Sequence, residues 1–314
     1  MASLQEISAS DQLVQAVVSI LVEEKPLIGQ FEFYPHPGNS DNPRKASSAD
    51  GGQYRSVNND YPENEVDPAF ANMVLAILGD KVEVDVAHER RGFDIASVRS
   101  RDLRKFARGL AKFLLKEHLK GGGQGQSPVA LNGLEGELPM SASQAIYTED
   151  NSNALVVESG SSDAAVQSQN KLKVKLHELI RLVEGNPVLV VSDMMHAFIS
   201  SVFEGLIERT EDNFGNLFAT FAGTPMYNVG KDRAGNPILP ETENPGSITA
   251  DTQSIYAASY GEQEDLAMST NVGVQVEDKG IVDSQFVHHV DLDVQQGVLN
   301  DEAVGRLAGT QLDV

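Results

Sequence analysis

The sequence of 314 residues contains no cysteine. This absence excludes disulfide frameworks, thiolate metal sites and cysteine nucleophiles, and it is typical of proteins that fold in a reducing cytoplasm. No window approaches eighteen consecutive apolar residues, and no basic segment followed by a long apolar run marks the amino terminus. The sequence therefore predicts a cytoplasmic protein that is not secreted and does not associate with a membrane.

Signatures of catalysis are also missing. No Gly-x-Ser-x-Gly elbow occurs, and the seven histidines have no recognisable nucleophile partner. The glycine-rich run at 121–125 follows a predicted helix and lacks the Lys-Ser/Thr ending of a phosphate-binding loop. His289, Asp291 and Asp293 would share one face of a strand, as metal ligands can, but no further ligand stands at a signature position. We therefore expect no catalytic, cofactor-binding or metal site, and the protein is predicted not to be an enzyme.

Positive charge is scarce, with 24 Lys and Arg against 46 Asp and Glu and a formal net charge of -22. This balance argues against a protein whose whole surface binds nucleic acid. Residues 81–120 reverse it, because they carry 11 basic and 6 acidic side chains. Such a local reversal indicates either a surface for polyanions or a solvated helix face, and the residues alone leave both interpretations open.

Apolar residues make up 40% of the chain, enough for one large or two intertwined domains. Periodicity and breaker residues predict a mixture of helices and strands, which is an α+β class. The predicted helices are 11–24, 67–78, 96–119, 172–183 and 194–207, and the predicted strands are 27–34, 53–57, 81–86, 188–191, 226–229, 254–259, 272–276 and 286–294.

The longest helical signal, 96–119, has two faces. Its apolar stripe consists of Leu103, Phe106, Leu110, Phe113 and Leu114. On the opposite side, five cations fall within an arc of roughly 80° when each residue advances about 100°. These cations are Arg101, Lys105, Arg108, Lys112 and Lys116.

The last part of the chain carries a resemblance to a known family. Its most specific segments are Leu176-His-Glu-Leu-Ile-Arg-Leu-Val-Glu-Gly-Asn-Pro187, Gly223-Thr-Pro-Met-Tyr-Asn-Val-Gly-Lys-Asp-Arg-Ala-Gly-Asn-Pro-Ile-Leu-Pro240, Ser254–Glu262, Val272–Gly280, Phe286–Val294 and Arg306-Leu307. In this order they resemble the closing half of the major capsid proteins of tailed bacteriophages. That family has the Hong Kong 97-type fold, which bacterial encapsulin compartments share.

The resemblance implies a particular division of the chain. It places an N-terminal arm at 1–26, an extended hairpin loop at 27–66, a peripheral domain with a long spine helix at 67–120, an axial α/β domain at 121–270 and returning strands at 271–314. The stretches 121–128 and 151–170 look like insertions. An isopeptide bond between subunits, as some relatives have, would take Lys45 as donor, but no acceptor can be assigned.

The function that the resemblance implies is self-assembly. Copies would form the pentamers and hexamers of an icosahedral head that encloses double-stranded DNA, assembled in the host cytoplasm and ending in the virion. Further expected partners are portal and decoration proteins and, because only a short region precedes the arm, a separate scaffolding protein. The DNA-facing candidates are Arg101, Arg104, Lys105, Arg108, Lys112 and Lys116, and the intersubunit hairpin candidates are Phe31, Phe33, Tyr34, Lys45, Tyr54 and Arg55.

Two alternatives remain at this point. An encapsulin-like nanocompartment would share the fold and enclose a cargo enzyme in place of a genome. A soluble metal-dependent α/β enzyme would use the cluster from His288 to Asp293.

Overall fold

A computed structural model describes residues 3–8, 11–45, 55–57, 69–211, 217–261 and 265–313. The helices in these ranges are α1 (Leu4–Ile7), α2 (Gln12–Glu24), α3 (Ala87–Arg90), α4 (Ile95–Lys120), α5 (Leu134–Glu137), α6 (Asp163–Leu182) and α7 (Asp193–Val202), with 3-10 turns at Pro26–Gln30, Glu204–Leu206 and Asp301–Ala303. None of these helices is long and apolar enough to cross a bilayer.

The strands of the described ranges form three sheets. They are β1 (Phe33–Pro35), β2 (Ser40–Asp41), β3 (Met73–Val74), β4 (Ala76–Asp85), β5 (Ala145–Tyr147), β6 (Leu155–Glu158), β7 (Val188–Val191), β8 (Ile207–Glu211), β9 (Leu217–Phe221), β10 (Thr224–Asn228), β11 (Gln253–Ala258), β12 (Leu266–Val282), β13 (Gln285–Val298) and β14 (Val304–Asp313).

A four-stranded sheet has the order β1-β12-β13-β4. Its centre is the long antiparallel hairpin of β12 and β13. Asp283 and Ser284 turn this hairpin with φ of 47° and 70°, the left-handed conformations that suit a two-residue turn between twisted strands. β4 pairs only with β13, so its other edge is free within the described residues.

An eight-stranded sheet has the order β5-β14-β11-β7-β10-β9-β8, and β6 also pairs with β14. The sheet is mixed, because β7 runs parallel to β10 and antiparallel to β11. All four residues of β7 are buried. Leu172, Leu176 and Leu179 of α6 and Phe198 of α7 pack with one face of this sheet in a core of their own.

Helix α2 confirms the predicted helix near 11–24, and it docks inside its own subunit. Asp11 caps it, with a carboxylate oxygen 2.7 Å from the backbone nitrogen of Leu13. Val17 and Leu21 are fully buried in a core that includes residues of α4. In this conformation the helix is therefore part of the subunit core, whereas the sequence predicted an arm that extends from it.

The region between α2 and α3 differs from the expected secondary structure. The predicted strand at 27–34 is a 3-10 turn followed by β1, which pairs in parallel with β12. The predicted helix at 67–78 is wrong, because residues 73–74 and 76–85 are strands. Gly79 was expected to end that helix, but it lies inside β4, where an added Cβ would stand 2.4 Å from the carbonyl oxygen of Val290.

The structure pairs other residues than the expected hairpin, whose legs were predicted at 27–34 and 53–57. β2 pairs with β3, and an isolated bridge joins Arg44 to Phe70. These two antiparallel legs lie on either side of residues 46–68, of which 55–57 are described. The predicted strand at 53–57 falls partly outside the described residues, and 55–57 are not a strand.

Most elements after α4 lie close to their predicted places. α6 begins at Asp163, nine residues before the predicted start, because Ser162 caps it and Ala165 already packs inward. β7, β11 and β13 confirm the predicted strands. The sequence did not predict β8, β9 and β14, and it predicted a longer α7, which ends at Val202.

A buried charged cluster joins the end of α4 to the eight-stranded sheet. Arg306 of β14 is 4% exposed. Its guanidinium donates to Ser254 Oγ at 3.2 Å, to the Leu138 carbonyl at 3.1 Å and to a carboxylate oxygen of Glu243. Charge-assisted bonds of this kind fix the mutual orientation of the elements that carry them. Arg306 thus couples β14, β11 and the two loops around them.

Candidate nucleic-acid interface

Helix α4 forms because its sequence repeats apolar residues at helical spacing between clear end signals. Asp94 caps the first turn, with its carboxylate 3.2 Å from the backbone nitrogen of Ala96. Leu103, Leu110 and Leu114 are buried against the core. The helix ends at Gly121, whose ψ of 139° is not helical, and the position needs glycine because an added Cβ would lie 2.2 Å from the Leu131 carbonyl oxygen. The observed bounds, Ile95–Lys120, agree with the predicted bounds to within one residue at each end.

The structure brings all six predicted DNA-facing residues together on the solvent side of α4. Four of them are exposed and two are half-buried. From the first to the last, the row spans fifteen residues, or about 22 Å of helix. The exposed members are Arg101, Arg104, Lys105 and Arg108, and the half-buried members are Lys112 and Lys116.

Two carboxylates from other elements pair with the three cations in the C-terminal half of the row and lower its net charge from +3 to +1. Glu24 of α2 lies 3.1 Å from Lys112 Nζ and 3.7 Å from Arg108 Nε. Asp232 lies 3.3 Å from Lys116 Nζ, and its other oxygen accepts bonds from the backbone nitrogens of Ala234 and Asn236, both at 2.9 Å.

The N-terminal half of the row is freer. Arg101 has a 3.5 Å contact with its neighbour Asp102. Arg104 and Lys105 have no ion pair with any described residue. The strongest unscreened positive potential of α4 therefore lies near these two side chains.

A groove of about 1510 Å³ runs along α4 beside the cationic row. Its other walls are residues 79–83 of β4 and the turn at 232–234. Phe106, Gly109 and Phe113 lie at its floor, spaced by three and four residues on one side of the helix. Phe113 is 46% exposed, although the sequence predicted it as core.

Sequence reasoning missed two cations of this groove, Lys81 of β4 and Arg233 of the turn. Lys81 pairs with Glu83 at 2.6 Å. Arg233 extends over the helix, and its Cδ would lie 3.9 Å from a Cβ added at Gly109. Because the two cations belong to separate elements of the chain, a helical wheel of α4 could not include them. The Asp-Arg-Ala-Gly sequence at 232–235, which is typical of a turn, was the available signal for Arg233.

The hairpin candidates do not lie together. Phe31, Phe33 and Tyr34 are buried in the subunit, so they are not available to a neighbour in this conformation. Phe31 packs its ring 4.6 Å from that of His118, and the Tyr34 hydroxyl donates to Asp41 at 2.7 Å.

The remaining hairpin candidates fall into two groups. Lys45 is on a hairpin leg, 3.4 Å from Asp301, and Arg55 is exposed. Tyr54 lies outside the described residues. Lys45 is thus already paired with a carboxylate of its own subunit.

The buried side of α4 carries a neutral histidine. His118 Nδ1 is 2.6 Å from Gln296 Oε1, and Nε2 is 3.0 Å from the Tyr260 hydroxyl. Because the amide oxygen can only accept, Nδ1 carries the proton and Nε2 accepts from the tyrosine. Burial lowers the pKa of His118 to about 4.

The cluster from His288 to Asp293 lies on β13. His288 faces α4, where Arg99 Nε donates to its Nε2 at 3.0 Å. Burial, and then the nearby Arg99 charge, lower the pKa of His288. Across the described residues, no three His, Cys, Asp or Glu side chains are grouped so that they could hold a metal ion.

The arrangement of a long helix on a hairpin sheet, joined to a mixed sheet with two covering helices, matches solved structures closely enough to identify the fold. The chain is similar to the SrpI encapsulin of Synechococcus elongatus, at 15% identity, 91% and 87% coverage of the two chains and a TM-score of 0.58. It is also similar to the capsid of a native GTA particle, at 12% identity, 93% and 90% coverage and a TM-score of 0.55. A third similar structure comes from Mycobacterium phage Bobi, at 10% identity, 94% and 90% coverage of the two chains and a TM-score of 0.53.

The fold is of the Hong Kong 97 type. The predicted fold class is thereby confirmed. No protein-family model matches the sequence, and no curated protein matches it. The identities are too low to carry more than the fold, so the Hong Kong 97-type architecture is what these solved structures and this chain share.

Proposed function

We propose that this protein is the major capsid protein of a tailed phage. Its copies assemble as pentamers and hexamers into an icosahedral head around double-stranded DNA. The proposal assigns no catalytic step. The similar capsid structures support the shell, and the cationic row of α4, in a chain of net charge -22, is the observation that carries the DNA role.

The DNA contact is electrostatic and independent of sequence. Phosphates bind lysine and arginine through charge and release condensed counterions, so binding weakens as salt rises. Asp102, Glu24 and Asp232 offset three of the six cations, which leaves the row with a net charge of +3. The slope of log K against log salt is therefore expected between about -3, for three phosphate contacts, and about -5, for six.

Assembly depends on weak contacts that add up around closed symmetry. Lys45, Tyr54 and Arg55 are the hairpin residues that we assign to contacts between copies. Portal, scaffolding and decoration proteins are the further partners that the proposal includes. The protein assembles in the host cytoplasm and functions in the virion.

The test is a pair of double variants in assembled particles. Arg104→Gln with Lys105→Gln removes two exposed cations that have no partner among the described residues. Lys173→Gln with Arg181→Gln removes the same charge from α6, at two cations that likewise have no ion pair with a described residue, and is the matched control. We expect both proteins to form shells in electron micrographs, and the α4 variant alone to release DNA at lower salt. Equal DNA retention across salt concentrations would refute the DNA role of α4.

An encapsulin-like compartment is the second candidate, because an encapsulin from Synechococcus elongatus is among the structures with this fold. It predicts particles that contain a cargo protein and no genome. Nucleic-acid content and protein composition of particles purified from the native source decide between the two candidates.

A further inference from the structure

The floor of the groove beside α4 contains a glycine, Gly109, that the packing of this chain does not require. Gly109 lies in the interior of a 26-residue helix, where glycine is less favourable than alanine by about 1 kcal/mol. An added Cβ would meet only the Arg233 Cδ at 3.9 Å, which is an ordinary contact. No close neighbour within the described residues therefore needs a glycine here. The missing side chain keeps the floor open for a group that approaches the helix from outside.

Two aromatic rings lie on either side of this opening. Phe106 is three residues before Gly109 and Phe113 is four residues after it, so both project from the same side of α4. Phe106 packs partly against the core, whereas Phe113 is 46% exposed. Exposed aromatic rings along a groove can stack against the faces of unpaired bases.

The positive charge of the groove is concentrated on its α4 side, because β4 carries Asp80 and Glu83 beside Lys81 and the turn carries Asp232 beside Arg233. The row of α4 lies on one side, with Arg104 and Lys105 free of ion pairs among the described residues. Lys81 and Arg233 lie on the other walls. A phosphodiester chain carries one negative charge in every repeat, so it matches a cationic row that continues over about 22 Å.

We propose that this groove binds single-stranded nucleic acid, with phosphates along the cationic row and bases on Phe113 and Phe106. This inference rests on the proposed function only in assigning α4 to a polyanion, and it adds a second binding mode. In a duplex the base faces are covered by their neighbours, so a duplex can use the cations but not the rings. An acidic peptide could use the cations but offers no regular series of flat rings.

The test is fluorescence anisotropy on the full-length protein with three probes of equal length. The probes are a twelve-nucleotide oligo(dT), a twelve-base-pair duplex and a twelve-residue polyaspartate. We expect the oligo(dT) to bind most tightly and Phe113→Ala to weaken it about tenfold, since loss of one stacked base commonly has an effect of this size. Phe93→Ala removes an exposed aromatic outside the groove and is the matched control.

Gly109→Leu separates the binding role from a structural one. A leucine fills the floor and favours the helix, so its thermal midpoint is expected to be at least as high as that of the wild type while oligo(dT) binding falls. Gly136→Ala, at an exposed glycine with open space around it, is the control. If Gly109→Leu binds normally, the groove floor is not the site.

Other outcomes also overturn the inference. The inference is wrong if the protein does not bind oligo(dT). It is also wrong if the duplex binds as tightly as oligo(dT) and Phe113→Ala has no effect, or if polyaspartate binds as tightly as oligo(dT) and responds to the variants in the same way. Electron microscopy of the same preparations reads out shell formation separately. Shells without oligo(dT) binding reject this inference alone, whereas oligo(dT) binding by a protein that never forms shells rejects the capsid proposal.

Discussion

The buried histidine of α4 makes the stability of the subunit depend on pH. His118 titrates with a pKa of about 4 in the folded chain against 6.5 for the unfolded chain. Between these values the unfolded chain binds a proton that the folded chain does not. The free energy of unfolding therefore falls as pH drops below 6.5, and the loss is complete near pH 4. At pH 5 this difference destabilises the folded state by about 2 kcal/mol relative to pH 7.

The structural reason is burial, because the fully buried ring has lost the water that would stabilise its charged form. Nδ1 donates to Gln296 and Nε2 accepts from Tyr260, so a second proton would face the tyrosine hydroxyl. Phe31 covers the ring and offers no hydrogen-bond acceptor. His118→Gln can keep one donor and one acceptor in the same place without titrating.

The assay is urea unfolding of dissociated subunits from pH 7.5 to pH 5. We expect His118→Gln to lose about 2 kcal/mol less than the wild type over this range, whatever its stability at pH 7. Other histidines and carboxylates titrate in both proteins and cancel in the comparison. Val174→Ala, at an exposed position of α6 and without a titratable group, is the control and should keep the wild-type slope. An unchanged slope in His118→Gln would refute the argument.

Three further predictions concern stability, each measured by urea unfolding against a control. Leu114→Ala should lower the free energy of unfolding by about 3–5 kcal/mol because Leu114 is fully buried. Val174→Ala, at an exposed site, should change it by less than about 0.5 kcal/mol. Equal effects of the two substitutions would contradict the assigned core. Gly79→Val should destabilise the hairpin sheet by more than Gly136→Ala, because its Cβ would collide with the Val290 carbonyl; a tolerated valine would mean that β4 and β13 are not paired there. Arg306→Met should lower the free energy of unfolding by about 3–5 kcal/mol, because it leaves Glu243 unpaired in a buried site. The double variant Arg306→Met with Glu243→Gln should recover part of this loss. No recovery would show that the two side chains are not coupled.

How far the sequence predicts the fold depends on where the contacts of each element come from. α4 was predicted to within one residue because its apolar stripe, its Asp94 cap and Gly121 are all local signals. β4 was predicted only in its second half. Its first half is a strand because it pairs with β13, more than 200 residues away, and the local pattern before Gly79 is equally typical of a helix.

Prediction of the candidate nucleic-acid interface from the sequence is limited in the same way, because local patterns do not specify tertiary contacts. The six cations of α4 share one face because the helical repeat alone decides it. Their ion pairs with Glu24 and Asp232 depend on tertiary packing, so the sequence overestimated the free charge of the C-terminal half. Phe31, Phe33 and Tyr34 were expected on an exposed hairpin, since an apolar run before a turn-rich segment fits a strand. Their burial is decided by β12 and His118, which no local pattern specifies.

The distribution of charge has a physical consequence for a shell that encloses a polyanion. Subunits of net charge -22 repel one another and repel a nucleic acid. Residues 81–120 have the opposite sign, with 11 basic and 6 acidic side chains, and the proposed function assigns the attraction to a polyanion to the exposed cations of α4 within this stretch. Surface ion pairs contribute only about 0–1 kcal/mol each, so phosphates can replace Glu24 and Asp232 as partners of the row at little cost. Under the proposed function, Arg108, Lys112 and Lys116, which keep a net charge of +1 in the isolated subunit, would exchange these carboxylates for phosphates when DNA is present.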